Sequence, residues 1–217
     1  MEKKPNNTKK FAILFATFVV PLLFFLFLAS GKVNFKKLPT LTEKVQNLPV
    51  NKENVSLFNK VSVVSFLGKK PSLISFQKVL NLYQVIYKST EKYQKFQVVT
   101  IVPEGSDSML TQLKAELKLV GGINLDKWYF LELPETEIEK FYTSFESPIK
   151  FYVQDGISDV FIIDEELKLR GRTDDEDTES GVLFGYNTGS VSELKNKLRE
   201  DLKVVFYESK FAVKEPK

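Results

Sequence analysis

The sequence predicts an α/β domain, a central mixed sheet flanked by helices, standing behind one N-terminal transmembrane helix. Three observations carry that prediction. Residues 11–30 (FAILFATFVVPLLFFLFLAS) contain no charge, and at 1.5 Å per residue such a run crosses roughly 30 Å of hydrocarbon. Behind it, short runs rich in β-branched and aromatic residues alternate with segments whose apolar residues recur every three or four positions, as buried strands joined by helical crossovers do. Near the end the alternation gives way to a strand pair and a final helix, which adds an antiparallel edge to a parallel sheet.

The span comes first in the chain. A cleaved signal peptide usually has a shorter apolar core that ends at small residues spaced A-x-A, whereas here Phe27 precedes Ala29 and Leu28 precedes Ser30. The string LASG has the shape of a lipoprotein signal, but Lys32 stands where the lipidated cysteine belongs. A retained anchor is therefore expected over 11–30, behind a basic tail of residues 1–10. Pro21 can kink such a helix without forbidding it. The lysine-rich head places the N-terminus in the cytoplasm of an inner-membrane protein and the remainder on the periplasmic or outer side. Residues 31–54, with Pro39, Pro49 and several asparagines, read as a stalk, residues 55–210 as the folded domain and 211–217 as a tail.

Within the domain, VSVVSFL (61–67) is a strand buried on both faces. A helix from about Pro71 to Tyr87 follows, with Leu73, Phe76, Leu80, Tyr83 and Tyr87 on one stripe. A second strand covers 95–103, a helix 107–119, a third strand 126–132 and a third helix 134–145, opened by Pro134 and by acids suited to a helix's positive end. DVFIIDEELKLRGR (159–172) reads as a hairpin, and Ser190-x-x-Glu193 as the capping box of the last helix. The order β-α-β-α-β-α-β-β-α is thioredoxin-like, with one extra strand–helix unit before the hairpin.

Composition removes whole classes of chemistry. The chain has no cysteine and no histidine, so disulfides, thiol nucleophiles, imidazole bases and most transition-metal sites fall away together. The formal charge of +3 comes from the first ten residues; beyond them 27 basic residues face 27 acidic ones. Nucleic acid is therefore not an expected partner, since neither a basic stripe nor a recognition motif is present.

VSLFNKVSVVSFLGKKPSLISFQKV (55–79) resembles the opening of the SCO/SenC family, membrane-anchored thioredoxin-like proteins that serve copper delivery and assembly of cytochrome c oxidase. VVTIVPEGSDSMLTQLKAEL is similar to that family's second strand, turn and helix, KWYFLELPETEIEKFYTSF to its tryptophan-containing strand and next helix, and DVFIIDEELKLRGR to its closing hairpin. The likeness covers most of residues 55–205. It implies two cysteines in a C-P-x-x-x-C-like pattern at the first strand–helix turn and a histidine before the hairpin. Those positions fall here on Lys70, on or near Ile74, and around Gly156 to Ser158, and all three ligands are absent. The resemblance thus implies a degenerate member without copper or thiol chemistry: no enzyme, no cofactor and no metal.

Two functional readings follow. The first is an interaction or assembly factor that binds a membrane protein, possibly a respiratory oxidase component, through Lys69, Lys70, Pro71, Gly156, Ile157 and Ser158. The second is an anion- or small-ligand-binding module that uses the helix N-terminus behind Lys69 and Lys70. The acidic run 174–179 reads as a solvated loop, Trp128, Tyr129 and Phe130 as core, and a Ser72–Lys70 nucleophile as unsupported by anything beyond spacing.

Overall fold

The computed structural model describes residues 7–29, 37–69, 73–119 and 125–212. The chain divides into two compact units, Met1–Lys36 and Lys37–Lys217. In the first, α1 (Asn7–Ala29) runs through Pro21. The proline cannot bond the carbonyl of Thr17, and the Thr17 hydroxyl donates to Ile13 O at 2.8 Å. By length and composition α1 can cross a membrane.

In the second unit, seven strands among the described residues form one sheet. They are β1 (Thr40–Thr42), β2 (Val61–Leu67), β3 (Phe96–Pro103), β4 (Trp128–Leu133), β5 (Gly156–Ile163), β6 (Leu169–Arg170) and β7 (Tyr186–Asn187). The order is β1-β6-β5-β2-β3-β4, and β7 also pairs with β5. β2, β3 and β4 are parallel, and β5 joins β2 antiparallel.

Each parallel step is made by a crossover helix, because only a crossover can return the chain to the same end of a sheet. α2 (Leu73–Leu82) continues through a π-helical turn (Tyr83–Tyr87) into α3 (Lys88–Thr90). α4 is Asp107–Leu119 and α5 is Glu135–Thr143. α6 (Val191–Glu193), a second π turn (Leu194–Leu198) and α7 (Arg199–Ala212) close the chain. The Ser190 hydroxyl caps this helix by accepting from Glu193 N at 3.2 Å. The reciprocal half of the box is diverted, since Glu193 Oε1 accepts from Asn187 N at 2.8 Å.

Alternate residues of the central strands feed two cores. Val63, Val98 and Ile162 lie in the layer shared with α2, α4 and α7, while Val64, Val99 and Phe161 lie in the layer shared with α5. In the second layer Phe66 is ringed by Phe141, Tyr142, Phe145, Phe151 and Phe161 at centroid distances of 5.2–6.2 Å. Trp128 and Phe130 are core residues of the first layer, and the indole N–H of Trp128 is satisfied by Thr100 Oγ1 at 2.8 Å.

Two expectations are corrected here. Residues 31–54 are not a stalk throughout, because the folded unit begins at Lys37: β1 pairs with β6, and Leu38, Val45 and Leu48 are buried. The cause is long-range. These apolar residues sit among prolines and polar residues with no regular period, and they find cover only on the hairpin and beside α5, as in the bond from Val45 N to Leu167 O at 2.8 Å. The acidic run is likewise not wholly solvated. Asp175 is buried and held by Lys197 at 2.7 Å, while Asp177 takes the outer side of the same ammonium.

Arg170 fastens the incoming chain. Its guanidinium donates to Asp164 Oδ2 at 2.9 Å, to Glu208 Oε2 at 2.6 Å and to Leu38 O, while Leu38 N donates to Glu208 Oε1 at 2.9 Å. Removing one partner of a buried ion pair leaves a charge without compensation. Arg170→Met is expected to cost about 3–5 kcal/mol, read as a lowered urea midpoint. An unchanged midpoint would show that water takes over the two carboxylates.

Candidate functional site

The turn after β2 and the start of β5 are brought together by a close backbone approach. Leu67 is paired with Gly156, and Lys69 N donates to Gln154 O at 3.1 Å. A Cβ on Gly68 would lie 2.3 Å from Gln154 O, and one on Gly156 would lie 2.4 Å from Gly68 N. Gly156 also has φ +68°, a region that favours glycine. Both positions are glycine because no side chain fits between the two strands.

Of the six residues singled out in the sequence, the structure describes Lys69, Gly156, Ile157 and Ser158. Lys70 and Pro71 lie outside the described residues. Lys69 is exposed and faces Glu135 at 4.0 Å, and Glu135 also accepts from Gln154 Nε2 at 2.7 Å. An exposed pair of this kind contributes little to stability, so the ammonium stays available to a partner. Ile157 packs against the aromatic core. Ser158 points the other way, as alternation along a strand requires, and its hydroxyl accepts from Lys78 Nζ at 2.6 Å. Its carbonyl accepts from Thr188 N at 2.9 Å and from Thr188 Oγ1 at 2.6 Å, and the Thr188 carbonyl accepts from Asn81 Nδ2 at 3.0 Å.

Lys78 was missed in the sequence, although a signal existed. Positions 70, 74 and 78 are four apart, so they share one stripe of a helix. Lys78 stands one turn beyond the position matched to the second family cysteine, and its ammonium spans from α2 to the strand where the family histidine is expected. Beside it, burial pushes the Asp159 carboxyl above the usual carboxylate range. Repulsion from Glu193 adds to that shift, and Lys78 partly offsets it.

Copper is the metal implied by the resemblance, and the residues present do not fit it. Soft thiolate and imidazole donors are missing from the whole sequence. Gly156 has no room for a ligand side chain, and among the described residues no group of three His, Cys, Asp or Glu side chains could hold a metal ion. Along the turn and β5 the arrangement offers an exposed ammonium, amides and hydroxyls. It can recognise a surface by charge and hydrogen bonding.

No family model and no curated protein matches the chain. Solved structures do match it. BsSco, a member of the Sco family of cytochrome c oxidase assembly proteins with a disulfide switch, superposes with a TM-score of 0.54 at 14% identity, over 78% of this chain and 96% of that one. A SCO1/SenC family lipoprotein from Bacillus anthracis gives 0.54 at 16% identity, over 79% of this chain and 99% of that one. The fold is thioredoxin-like. This thioredoxin-like domain shares its architecture with Sco proteins and carries no cysteine in that scaffold.

Two predictions follow from the geometry. Gly156→Ala combines left-handed backbone strain of about 1–3 kcal/mol with a direct clash; it should lower the melting temperature by several degrees, and an unchanged melt would mean that the two strands can separate freely. For Asp159, a raised folded-state pKa means that the fold favours the protonated acid, so its ionisation erodes stability as pH rises from about 3.9, the unfolded value, through the raised one. Asp159→Asn should therefore raise the urea midpoint at pH 7 relative to the parent, and the gain should vanish below about pH 3.9.

Proposed function

We propose that the protein is a membrane-anchored, non-catalytic Sco-like factor that binds a membrane protein partner during assembly of a respiratory oxidase. One observation carries this reading: a fold shared with Sco structures over more than three quarters of the chain, in a sequence with no thiol and no imidazole. Without thiolates neither thiol exchange nor copper transfer can run through the usual positions. What a scaffold can still supply is a surface, and recognition residues gather on loops held by a rigid sheet. The turn at Lys69 and the strand start at Gly156–Ser158 form such a surface, with Lys70 and Pro71 adjacent in sequence.

The anchor is α1, and the lysine-rich head orients it with the N-terminus in the cytoplasm of the inner membrane and the domain on the periplasmic or outer side. Docking at the lysine-bearing turn makes association sensitive to charge.

The test is affinity purification of the tagged full chain from membranes solubilised in mild detergent. Oxidase subunits should co-purify, and Lys69→Glu with Lys70→Glu should reduce their recovery while leaving the melting temperature unchanged. Glu176→Lys with Glu179→Lys, exposed and on the opposite side of the hairpin region, should leave recovery intact. Absence of every oxidase subunit from the parent sample would overturn the assigned partner. Loss confined to the Glu176/Glu179 variant would move the docking surface to the acidic loop.

A further inference from the structure

The two ends of the sheet differ in what they expose. β2, β3 and β4 run parallel, so Val61, Phe96 and Trp128 begin at one end, and the tip of the β5–β6 hairpin reaches that same end. The other end holds Leu67 and Gly156, with the docking turn. Among the described residues of the domain, six large apolar side chains are exposed. Tyr152 and Val191 lie toward the docking end. The remaining four, Val50, Phe58, Tyr93 and Leu119, lie toward the strand-start end: Val50 and Phe58 in the segment leading into β2, Tyr93 in the turn before β3, and Leu119 at the last residue of α4.

These four are held out to solvent by built structure. Val50 is fully exposed at 101%, at the tip of a loop stapled by Asn51, whose side chain donates to Pro49 O at 3.0 Å and to Val55 O at 2.9 Å. Asn47 Oδ1 closes the base of that loop by accepting from Leu57 N at 2.9 Å. Tyr93 stacks on Phe206 with ring centroids 4.2 Å apart. Each apolar tip has a lysine within two residues, namely Lys52, Lys60, Lys92 and Lys118. Glu53 and Glu91 keep the local charge mixed, so the apolar tips carry the contact and the lysines set its preference for anions.

This end is also where the chain arrives from the span. Leu38 is bound by Glu208 near the close of α7, and the neighbouring Ser209 reaches Glu165 at the hairpin tip. Nine residues separate Ala29 from Leu38, and they can extend at most about 30 Å. A domain of this size is roughly 40 Å across, so the strand-start end is the one a short tether keeps beside the bilayer.

We infer that the strand-start end of the domain docks on an anionic lipid surface. Val50, Phe58, Tyr93 and Leu119 enter the headgroup boundary, their neighbouring lysines meet lipid phosphates, and the Lys69–Gly156 end is turned away from the membrane. The inference rests on the anchor assigned above.

The absence of cysteine makes the test direct. Val50→Cys, Leu119→Cys and Tyr152→Cys, made singly in the full chain, are labelled with an environment-sensitive fluorophore and reconstituted into vesicles of phosphatidylcholine with phosphatidylglycerol. Probes at 50 and 119 should be quenched by doxyl-labelled lipid and shielded from aqueous iodide, and the probe at 152 should show the reverse. Replacing phosphatidylglycerol with phosphatidylcholine, or adding high salt, should weaken the lipid quenching at 50 and 119. Equal iodide access at all three positions, in protein that resists carbonate extraction, overturns the docking and leaves the anchor standing. Release by carbonate overturns the anchor and the docking with it. Probes at 50 and 119 shielded from iodide yet untouched by lipid quencher would mean that protein covers this end, which also overturns the inference.

Discussion

β2 is hydrogen-bonded along both edges and buried at every residue, and the rest of the domain follows from covering it. A strand without solvent on either face needs a layer on each side, and the chain supplies them from different distances. α2, α4 and the final helix cover one face; α5 and the segment around Val45 to Leu57 cover the other. Polar atoms that must lie in this sheet are paired within it. The Ser65 and Thr100 hydroxyls meet at 2.7 Å, and Gln97 Nε2 donates to Ser62 Oγ at 2.9 Å. Unpaired, such groups would each cost about 1–3 kcal/mol.

The same strand decides what the site can be. β2 ends where β5 begins, and the two backbones come so close at Gly68 and Gly156 that neither position carries a side chain. The family histidine could not simply be written back at Gly156, because backbone atoms occupy the space its Cβ needs. Where metal chemistry would bridge α2 and β5, an ammonium on a hydroxyl, Lys78 to Ser158, does so instead. That contact holds helix and strand in place and leaves the turn ordered enough to present Lys69.

Ionic clusters fasten the parts of the domain that β2 does not reach. Arg170 ties the incoming segment, the hairpin and α7, and Arg172 grips Asp201 through two bonds of 2.7 and 2.9 Å while Tyr186 donates to the same carboxylate at 2.7 Å. Burial, with Asp201 alongside, holds the Tyr186 hydroxyl well above its usual pKa, so it remains a donor. Both clusters join residues far apart in sequence. They leave the tether end rigid, with its apolar tips exposed on a fixed frame.

By itself the sequence determined what depends on local pattern and on composition. Twenty uncharged positions set the span; β-branched runs set β2 and β3; a period of three to four set α4 over 107–119, as found; and zero cysteine and histidine removed soft-metal and thiol chemistry before any fold was known. Tertiary structure alone decided what depends on partners distant along the chain. It drew residues 37–54 into the domain, since Leu38 and Val45 have no period and gain their burial from Arg170's cluster and from Leu167. It took Asp175 out of water, since Lys197 lies 22 residues away, and it set Lys78 on Ser158 across 80 residues. Periodicity records which face of an element is apolar, whereas a buried charge or a hydroxyl contact is fixed by whichever group the fold brings opposite.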